Sequence, residues 1–372
     1  MITFSSFVLL ALTASAKAYF LVGQSILVIE RADPIVSPGA VAGHVHRVIG
    51  GSNFGVEIPS SDYLRESECT SSGIQEDKSA YWFPQLYFEY ADGSFELVPG
   101  GPVTYYLFPD QSGQTTIFPD NFRMISGNSA QAPPLGSFAQ EAVSFLCLDF
   151  NGVSTKSNFL PETPCPSGVR AQLNFQSCWN GKDVDSSDHK SHVSYRSGGP
   201  DSGDCPSDFP VNLPRIFNEM YYDTGSFNNK TSQAKNPNQP FVFSNGDATG
   251  AMYHGDFYMG WERATLQRVV DECHCNPFGD FTCCVQQGIM TRPTTTCSIT
   301  TQINEEVTGR LPKLPGNNPV RLNGELPQPD PNPPSLRCDV QVISQPVTKR
   351  EENLFGARGH NRFSKRDDCT KS

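Results

Sequence analysis

The sequence predicts an all-β fold: a disulfide-stabilised β-sandwich or jelly-roll-like domain with one or two helices. Short apolar or alternating runs such as VTYYLF and VSFLCLDF are separated by turn residues, as expected for strands. The 372 residues include 31 Gly, 30 Pro, 25 Phe and 12 Tyr, which suit short strands and turns better than long helices. The 12 cysteines suit a fold that is held together by disulfides.

The chain begins with MITFSSFVLLALTASAKA, an apolar run ending in small residues that predicts a secretory signal peptide over residues 1–18. An oxidising compartment agrees with disulfide formation, although the spacing of the cysteines does not give their connectivity. The sequon at Asn229 predicts an N-linked glycan. No later segment approaches the roughly 20 apolar residues of a membrane helix. We therefore expect a secreted, extracellular or cell-wall protein without membrane insertion.

Residues 19–305 are predicted to form the β-rich domain. In YWFPQLYFEYADGSFELV an aromatic run meets Asp92-Gly93 and resumes as a second apolar run, which predicts a hairpin. The best helix candidate is GWERATLQRVVDEC, residues 260–273, where apolar residues recur near helical spacing.

The composition changes after this domain. Residues 306–336, which include LPKLPGNNPVRLNGELPQPDPNPPSL, are rich in Pro, Asn and Gly and predict an extended, poorly packed linker. Residues 337–372 predict a polar, disordered tail. The net charge of −11 disfavours nucleic acid as a partner, whereas neutral glycans remain compatible with it.

Five of the seven histidines lie in three short polar segments, which are the main indication of chemistry. In the first, GHVH, His44 and His46 are two residues apart. In a strand they would point to the same face and present two imidazoles to one metal or substrate. The alternative is that hydrogen bonds satisfy both rings within a rigid loop.

The second segment, SCWNGKDVDSSDHKSH, combines Trp179 with Asp188, His189 and His192. Imidazole and carboxylate together suit a zinc, copper or manganese site or an acid and base pair. Trp179 would stack on a sugar ring. A loop that satisfies its own backbone is the structural alternative.

The third segment is HGDF, in which His254 and Asp256 are again two residues apart. If this segment is a strand, both side chains share a face, and the carboxylate orients an imidazole or acts beside it. The neighbouring glycines would let the backbone approach a ligand. By contrast, CHC at residues 273–275 with Cys283-Cys284 favours disulfides over a zinc site, because zinc-finger spacing is missing.

These stretches resemble a family of fungal secreted proteins that carry a domain of unknown function, sometimes joined to WSC cell-wall carbohydrate-binding modules. The resemblance extends in order over most of residues 30–275, through segments such as DPIVSPGAVAGHVHRVIGG, SCWNGKDVDSSDHKSHVSY and SNGDATGAMYHGDFYMGWE. It implies a fungal source, export and a cell-wall or plant-biomass setting, and it implies no particular activity.

We therefore predict that the three segments meet in one cleft of a secreted carbohydrate-active protein. One divalent metal (Cu, Zn or Mn) would be held by four histidines: His44, His46, His189 and His254. The catalytic residues would be Asp188, His192 and Asp256, and Trp179 would bind the polysaccharide. The class of reaction stays open between hydrolase, lyase and metal-dependent oxidase. The alternatives are a non-catalytic glycan-binding or wall-structural protein, or one that captures metal at the cell surface.

Overall fold

A computed structural model describes residues 17–109, 112–276, 278–321, 329–347 and 362–365. It is mostly β, with 31% of residues in strands and 11% in helices, which confirms the β-rich, disulfide-stabilised fold. The strands in chain order are β1 Lys17–Gly23, β2 Val28–Glu30, β3 His46–Ile49, β4 Ala80–Pro84, β5 Leu86–Glu89, β6 Phe95–Leu97, β7 Gly100–Pro109, β8 Arg123–Gly127, β9 Val143–Cys147, β10 Thr155–Ser157, β11 Val169–Asn174, β12 Cys178–Trp179, β13 Val193–Ser194, β14 Val211–Asn212, β15 Arg215–Tyr222, β16 Phe241–Phe243, β17 His254–Tyr258, β18 Thr295–Ile299, β19 Arg310–Leu311, β20 Gln341–Pro346 and β21 Arg362–Lys365.

Five helical segments connect these strands in the described part of the chain. They are α1 Ser61–Arg65, α2 Phe138–Glu141, a 3-10 helix Thr224–Gln233, α3 Arg263–Glu272 and α4 Thr282–Gln286. The α3 helix is the one predicted from the sequence, and it buries Leu266, Val269 and Val270. The other α-helices have only four or five residues, so the helices act mainly as connections between strands.

The main core lies between two layers of antiparallel strands. One layer is a six-stranded sheet in the order β1-β7-β15-β11-β9-β10. The other is made of a five-stranded sheet, β2-β3-β4-β17-β8, and a four-stranded sheet, β16-β5-β6-β19. Residues of both layers, including Tyr106, Phe145, Tyr81 and Phe257, belong to one buried cluster. The predicted hairpin is present as β5 and β6, which pair on either side of Asp92-Gly93.

The five-stranded sheet separates this core from a second one. Alternate side chains of its strands point to opposite faces. Ile49, Tyr81 and Phe257 therefore belong to the main core, whereas Val48 and Trp82 belong to a second buried cluster on the other face. This second face carries the three-histidine cluster described below.

Part of the predicted linker and tail packs against the domain. The β19 strand pairs with β6, and both Leu311 and Arg321 are buried. The β20 strand pairs with β18 inside a three-stranded sheet. The expectation of poor packing is therefore wrong for residues 310–321, and that of disorder is wrong for residues 341–346. Residues 322–328, 348–361 and 366–372 lie outside the described residues, as does most of the predicted signal peptide, residues 1–16.

Disulfides link distant parts of the chain. The bridges are Cys69–Cys297, Cys147–Cys165, Cys178–Cys205, Cys273–Cys284 and Cys275–Cys283, and Cys338 is also disulfide-bonded. The choice of disulfides over zinc for the CHC segment is confirmed. Within the described ranges, no helix combines the length and apolar character needed to cross a membrane.

Candidate metal centre

His46 is the most deeply buried histidine of the candidate site. It is the first residue of β3 and is fully buried. Its Nδ1 atom lies 3.0 Å from the carbonyl oxygen of Ala32. Because a carbonyl oxygen only accepts, Nδ1 carries the hydrogen and Nε2 carries a free lone pair. Nε2 is buried and has no hydrogen-bond partner among the residues that the structure describes.

His254 reaches the same face of the sheet from β17. Val48, two residues after His46, lies opposite Trp82 of β4, and Trp82 lies opposite Asp256 of β17. Residues directly opposite in a sheet share a face, as do residues two apart in a strand. His254 therefore points to the side that His46 occupies. Its Nδ1 donates to the carbonyl oxygen of Met252 at 3.0 Å, which also leaves Nε2 as the lone-pair nitrogen.

His44 completes the cluster from the loop just before β3. Its Nε2 lies 3.0 Å from Nε2 of His254, and its ring centre is 4.2 Å from that of His46. His44 is 9% exposed and follows the exposed Gly43, whereas His254 is 3% exposed. His44 is therefore the most exposed of the three histidines.

Burial keeps the three imidazoles neutral. Burial is the main cause that lowers the pKa of His44 and His46 well below the usual value, and the neighbouring histidines lower it further. Burial also lowers the pKa of His254 to about 4. Neutral imidazole is the form in which histidine binds a metal.

The geometry of the cluster fits one metal ion. One ring nitrogen from each histidine lies within 4.8 Å of the other two. Two imidazole nitrogens on a tetrahedral ion with metal bonds of about 2.0–2.1 Å are separated by about 3.3 Å. The structural alternative is a hydrogen bond from His44 Nε2 to His254 Nε2. With that hydrogen bond in place, the buried lone pair on His46 Nε2 still has no partner in the described structure. A metal ion in the cluster would bind this lone pair.

A carboxylate and an ammonium group lie beside the cluster. Asp256 is 1% exposed, and neither of its oxygens has a hydrogen-bond partner in the described ranges. Burial is the main cause that raises its pKa well above the usual value; the charge of Asp33 raises it further, and that of Lys190 opposes the rise. Lys190 Nζ donates to the carbonyl oxygen of Gly127 at 2.5 Å, and Gly127 lies opposite His254 in the sheet. Asp256 does not belong to the set of three nitrogens, so it suits a neighbouring role rather than that of a ligand.

The DHKSH segment contacts this region, but its histidines, His189 and His192, lie outside the three-histidine cluster. Its loop lies along β8, where the amide of Ile125 donates to the carbonyl oxygen of His189 at 3.0 Å. The His189 Nδ1 atom is 2.7 Å from Asp185, and the ring lies outside the set of three nitrogens. His192 is buried with both ring nitrogens engaged, one with Ser186 at 2.9 Å and one with the carbonyl oxygen of Arg123 at 2.9 Å.

Asp188 and Trp179 lie in local networks of the same region. Asp188 accepts hydrogen bonds from the amides of Lys190 and Ser191 and from the hydroxyl of Ser191, which hold the tight loop together. Burial raises the pKa of Asp188, but the hydrogen bonds together outweigh burial and lower the pKa below the usual range. Trp179 is half-buried, and its indole N–H donates to the carbonyl oxygen of Asp183 at 2.7 Å. The ring packs edge-on against Phe122. Neither side chain is brought into the three-histidine cluster.

Sequence reasoning missed three charged residues near the cluster. Lys190 lies between the two histidines of the DHKSH segment, and no spacing pattern marks a lysine there as part of a site. Asp33 precedes the GHVH segment, and its carboxylate accepts from the amides of Ile35 and Val36. The third is the buried Arg321, whose charge acts on His44 and which comes from the predicted linker. No signal in the sequence connects Arg321 with His44, since 277 residues separate them along the chain.

The fold and the site define a β-rich protein with several antiparallel sheets, several disulfides and a buried three-histidine cluster on one sheet. The chain belongs to the family described as Domain of unknown function (DUF1996), whose sequence profile matches residues 33–261. The matched range contains the three histidines of the cluster, Lys190 and Asp256. A comparison with curated proteins finds no match, and a comparison with solved structures finds none either.

Proposed function

We propose that this protein is a secreted enzyme that acts on a cell-wall polysaccharide with one divalent metal held by His44, His46 and His254. The observation that carries the proposal is the buried lone pair of His46 Nε2, which faces two other imidazoles and has no partner in the described structure. A buried polar atom without a partner is costly unless a ligand satisfies it. Carbonyl groups that fix the hydrogen on Nδ1, as for His46 and His254, are typical supports of metal-binding histidines.

Zinc and copper suit the site best. Imidazole nitrogen is a preferred donor for both, whereas manganese favours oxygen ligands. Three protein ligands leave a fourth position for water, the usual arrangement of catalytic zinc. A structural zinc site would normally have four protein ligands.

The neighbouring groups favour hydrolysis. A divalent ion held by His44, His46 and His254 would supply Lewis-acid chemistry and lower the pKa of water. Asp256 would act as the general base that takes the proton of the attacking water, and the oxygen of that water would form a bond to the electrophilic carbon of a glycosidic or ester linkage. The bond from that carbon to the leaving oxygen would break, and Lys190 would supply the proton that this oxygen needs. Asp256 suits this role because it is buried beside the cluster without a partner in the described residues. Burial favours the protonated form of Asp256, so the general-base role requires the charge of Lys190 together with that of a divalent ion in the cluster, both of which favour the ionised carboxylate.

The polysaccharide substrate is supported by the sequence. The signal-peptide pattern and the disulfides agree with export, and the acidic chain disfavours polyanions such as nucleic acid.

The near-complete burial of the cluster favours a second candidate: a glycan-binding protein in which the metal is structural.

Metal analysis tests the centre. The purified protein, incubated with zinc or copper and then desalted, is expected to hold one ion per chain. His46→Gln is expected to weaken metal binding by at least about tenfold, because one of three ligands is lost. His192→Gln is the matched control: His192 is equally buried, but both its nitrogens already have protein partners. No stoichiometric metal in the wild type, or equal loss in both variants, would reject the centre.

Activity screening separates the enzyme from the glycan-binding protein. The metal-loaded wild type is expected to release oligosaccharides or acyl groups from one of a panel of wall polysaccharides, detected by mass spectrometry. Asp256→Asn is expected to keep the metal and to lose about a hundredfold or more in rate, the usual contribution of a general base. Full metal loading without turnover on any polymer would favour the structural-metal candidate.

A further inference from the structure

A groove lies beside the cluster on the surface of the domain. Its volume is about 570 Å³, within the range of roughly 300–1,000 Å³ that is common for ligand sites. The side chains that line it include Phe159, Glu162, Asn236, Asn238, Gln239 and Thr249. Met252 also lines it, and the carbonyl group of Met252 holds His254. Met252 therefore contacts both the groove and the candidate metal centre.

The groove is lined by one aromatic side chain, Phe159, and by three amide side chains. Phe159 is 41% exposed, although an aromatic ring of this size is usually buried. Asn236 and Asn238 are exposed. Amide side chains both donate and accept, as sugar hydroxyl groups do. The described residues lining the groove include no lysine or arginine, and Glu162 is the one charged side chain among them.

The walls of the groove are tied to one another. The Leu160 amide donates to the carbonyl oxygen of Thr249 at 2.8 Å, and Gln239 Nε2 donates to that of Pro161 at 3.2 Å. The buried Asp247 accepts from the amide and hydroxyl of Thr249 and from the amide of Met252. A site that is already ordered loses less entropy on binding.

We propose that this groove binds a segment of a neutral polysaccharide, with Phe159 stacking on a sugar ring and the asparagine amides contacting hydroxyl groups. An exposed ring provides an apolar face for the C–H side of a sugar, and Glu162 with the acidic chain disfavours uronate polymers. As a substrate subsite the groove rests on the proposed function. As a binding site it stands on its own residues.

The test is binding of soluble polymers to the full chain. Laminarin, xyloglucan, galactomannan and chitohexaose are the neutral probes, and polygalacturonate is the acidic comparison. We expect affinity for at least one neutral probe, weakened about tenfold by Phe159→Ala. Phe150→Ala is the matched control, because Phe150 is 72% exposed but does not line the groove. Circular dichroism verifies that both variants are folded.

Three outcomes would overturn the groove: no neutral probe binds, Phe159→Ala binds like the wild type, or polygalacturonate binds as tightly as the best neutral probe. Metal content is measured on the same preparations, which separates the two proposals. If a protein that holds no metal binds a polymer in a Phe159-dependent way, the glycan-binding groove is supported and the metal centre is rejected. If the protein holds stoichiometric metal but binds no glycan, the metal centre is supported and the glycan-binding groove is rejected.

Discussion

A buried histidine is defined by what each of its two ring nitrogens contacts. In His192 both nitrogens contact protein groups: Nε2 donates to the carbonyl oxygen of Arg123, and Nδ1 lies 2.9 Å from the hydroxyl of Ser186. This histidine therefore stabilises a loop. His46 has one such contact and one buried nitrogen without a partner in the described structure. In the sequence both histidines lie in polar segments. The neighbouring residues do not show which of them has a ring nitrogen without a partner. Their roles differ at the second ring nitrogen, which lies against Ser186 in His192 and has no partner in the described structure in His46.

A second buried titratable side chain lies away from the cluster. Asp77 is fully buried and accepts from the amide of Ser79 and from the hydroxyl of Tyr81, both at 3.0 Å. Tyr81 in turn contacts Tyr106, which accepts from the indole of Trp261 at 2.8 Å. Burial raises the pKa of Asp77 to about 6.

Asp77 is expected to make stability depend on pH. The native state keeps the Asp77 proton up to about pH 6, whereas the unfolded chain releases it near pH 4. The contribution of protonated Asp77 to the free energy of unfolding is therefore complete below about pH 4. It is lost as the pH rises through 6, which lowers the free energy of unfolding by about 3 kcal/mol. Asp77→Asn removes this term, so the variant should gain stability relative to the wild type between pH 4 and pH 7. Urea unfolding across this range measures the difference, and a constant difference would contradict the prediction.

At the scale of elements, β17 serves two faces at once. His254 and Asp256 point towards the cluster, while Gly255 between them faces the main core. A Cβ atom at Gly255 would overlap the ring of Phe83 and lie 2.7 Å from Leu173. Glycines beside His254 and Asp256 predict that the backbone approaches a ligand closely. At Gly255 the close approach is instead to buried side chains.

Gly255→Ala is expected to destabilise the fold by about 1–3 kcal/mol, because both neighbouring side chains are fully buried and must move. Gly101→Ala in β7 is the matched control, since a Cβ atom there has open space and the backbone needs no unusual angle. The free energy of unfolding in urea measures both variants. Equal effects of the two substitutions would contradict the packing argument.

Strand periodicity predicted more of the site than motif chemistry did. The two-residue spacing of His254 and Asp256 was readable because alternate strand residues share a face. The same spacing of His44 and His46 also brought two neighbouring imidazoles, but His44 lies in the loop before β3 and not in the strand. The register that brings β3 and β17 together across β4 was not readable, since it depends on pairings far apart in the chain. The DHKSH segment was predicted to supply imidazoles, but the charge that acts on Asp256 comes from Lys190.

For the molecule as a whole, the C-terminal part is integral to the fold. Arg31 is fully buried and pairs with Glu305 at 2.6 Å and with Asp330 at 2.9 Å. Asn318 donates to the carbonyl oxygen of Gly43, next to His44, at 2.7 Å. Proline-rich composition predicted an extended segment, but it carries no information about whether that segment contacts the domain. Such contacts support the loop that carries His44.

The Cys69–Cys297 bridge joins the loop before β4 to the strand β18, and the two cysteines are 228 positions apart in the sequence. The Cys147–Cys165 bridge closes a loop of only 18 residues. A disulfide stabilises mainly by restricting the unfolded chain, and its effect grows with the logarithm of the loop length. Replacing both cysteines by alanine is therefore expected to cost about 5 kcal/mol for the long loop and about 3 kcal/mol for the short one. Urea unfolding of the two double variants measures these losses. An equal or larger loss for the short loop would mean that local packing, rather than chain entropy, sets the contribution of these bridges.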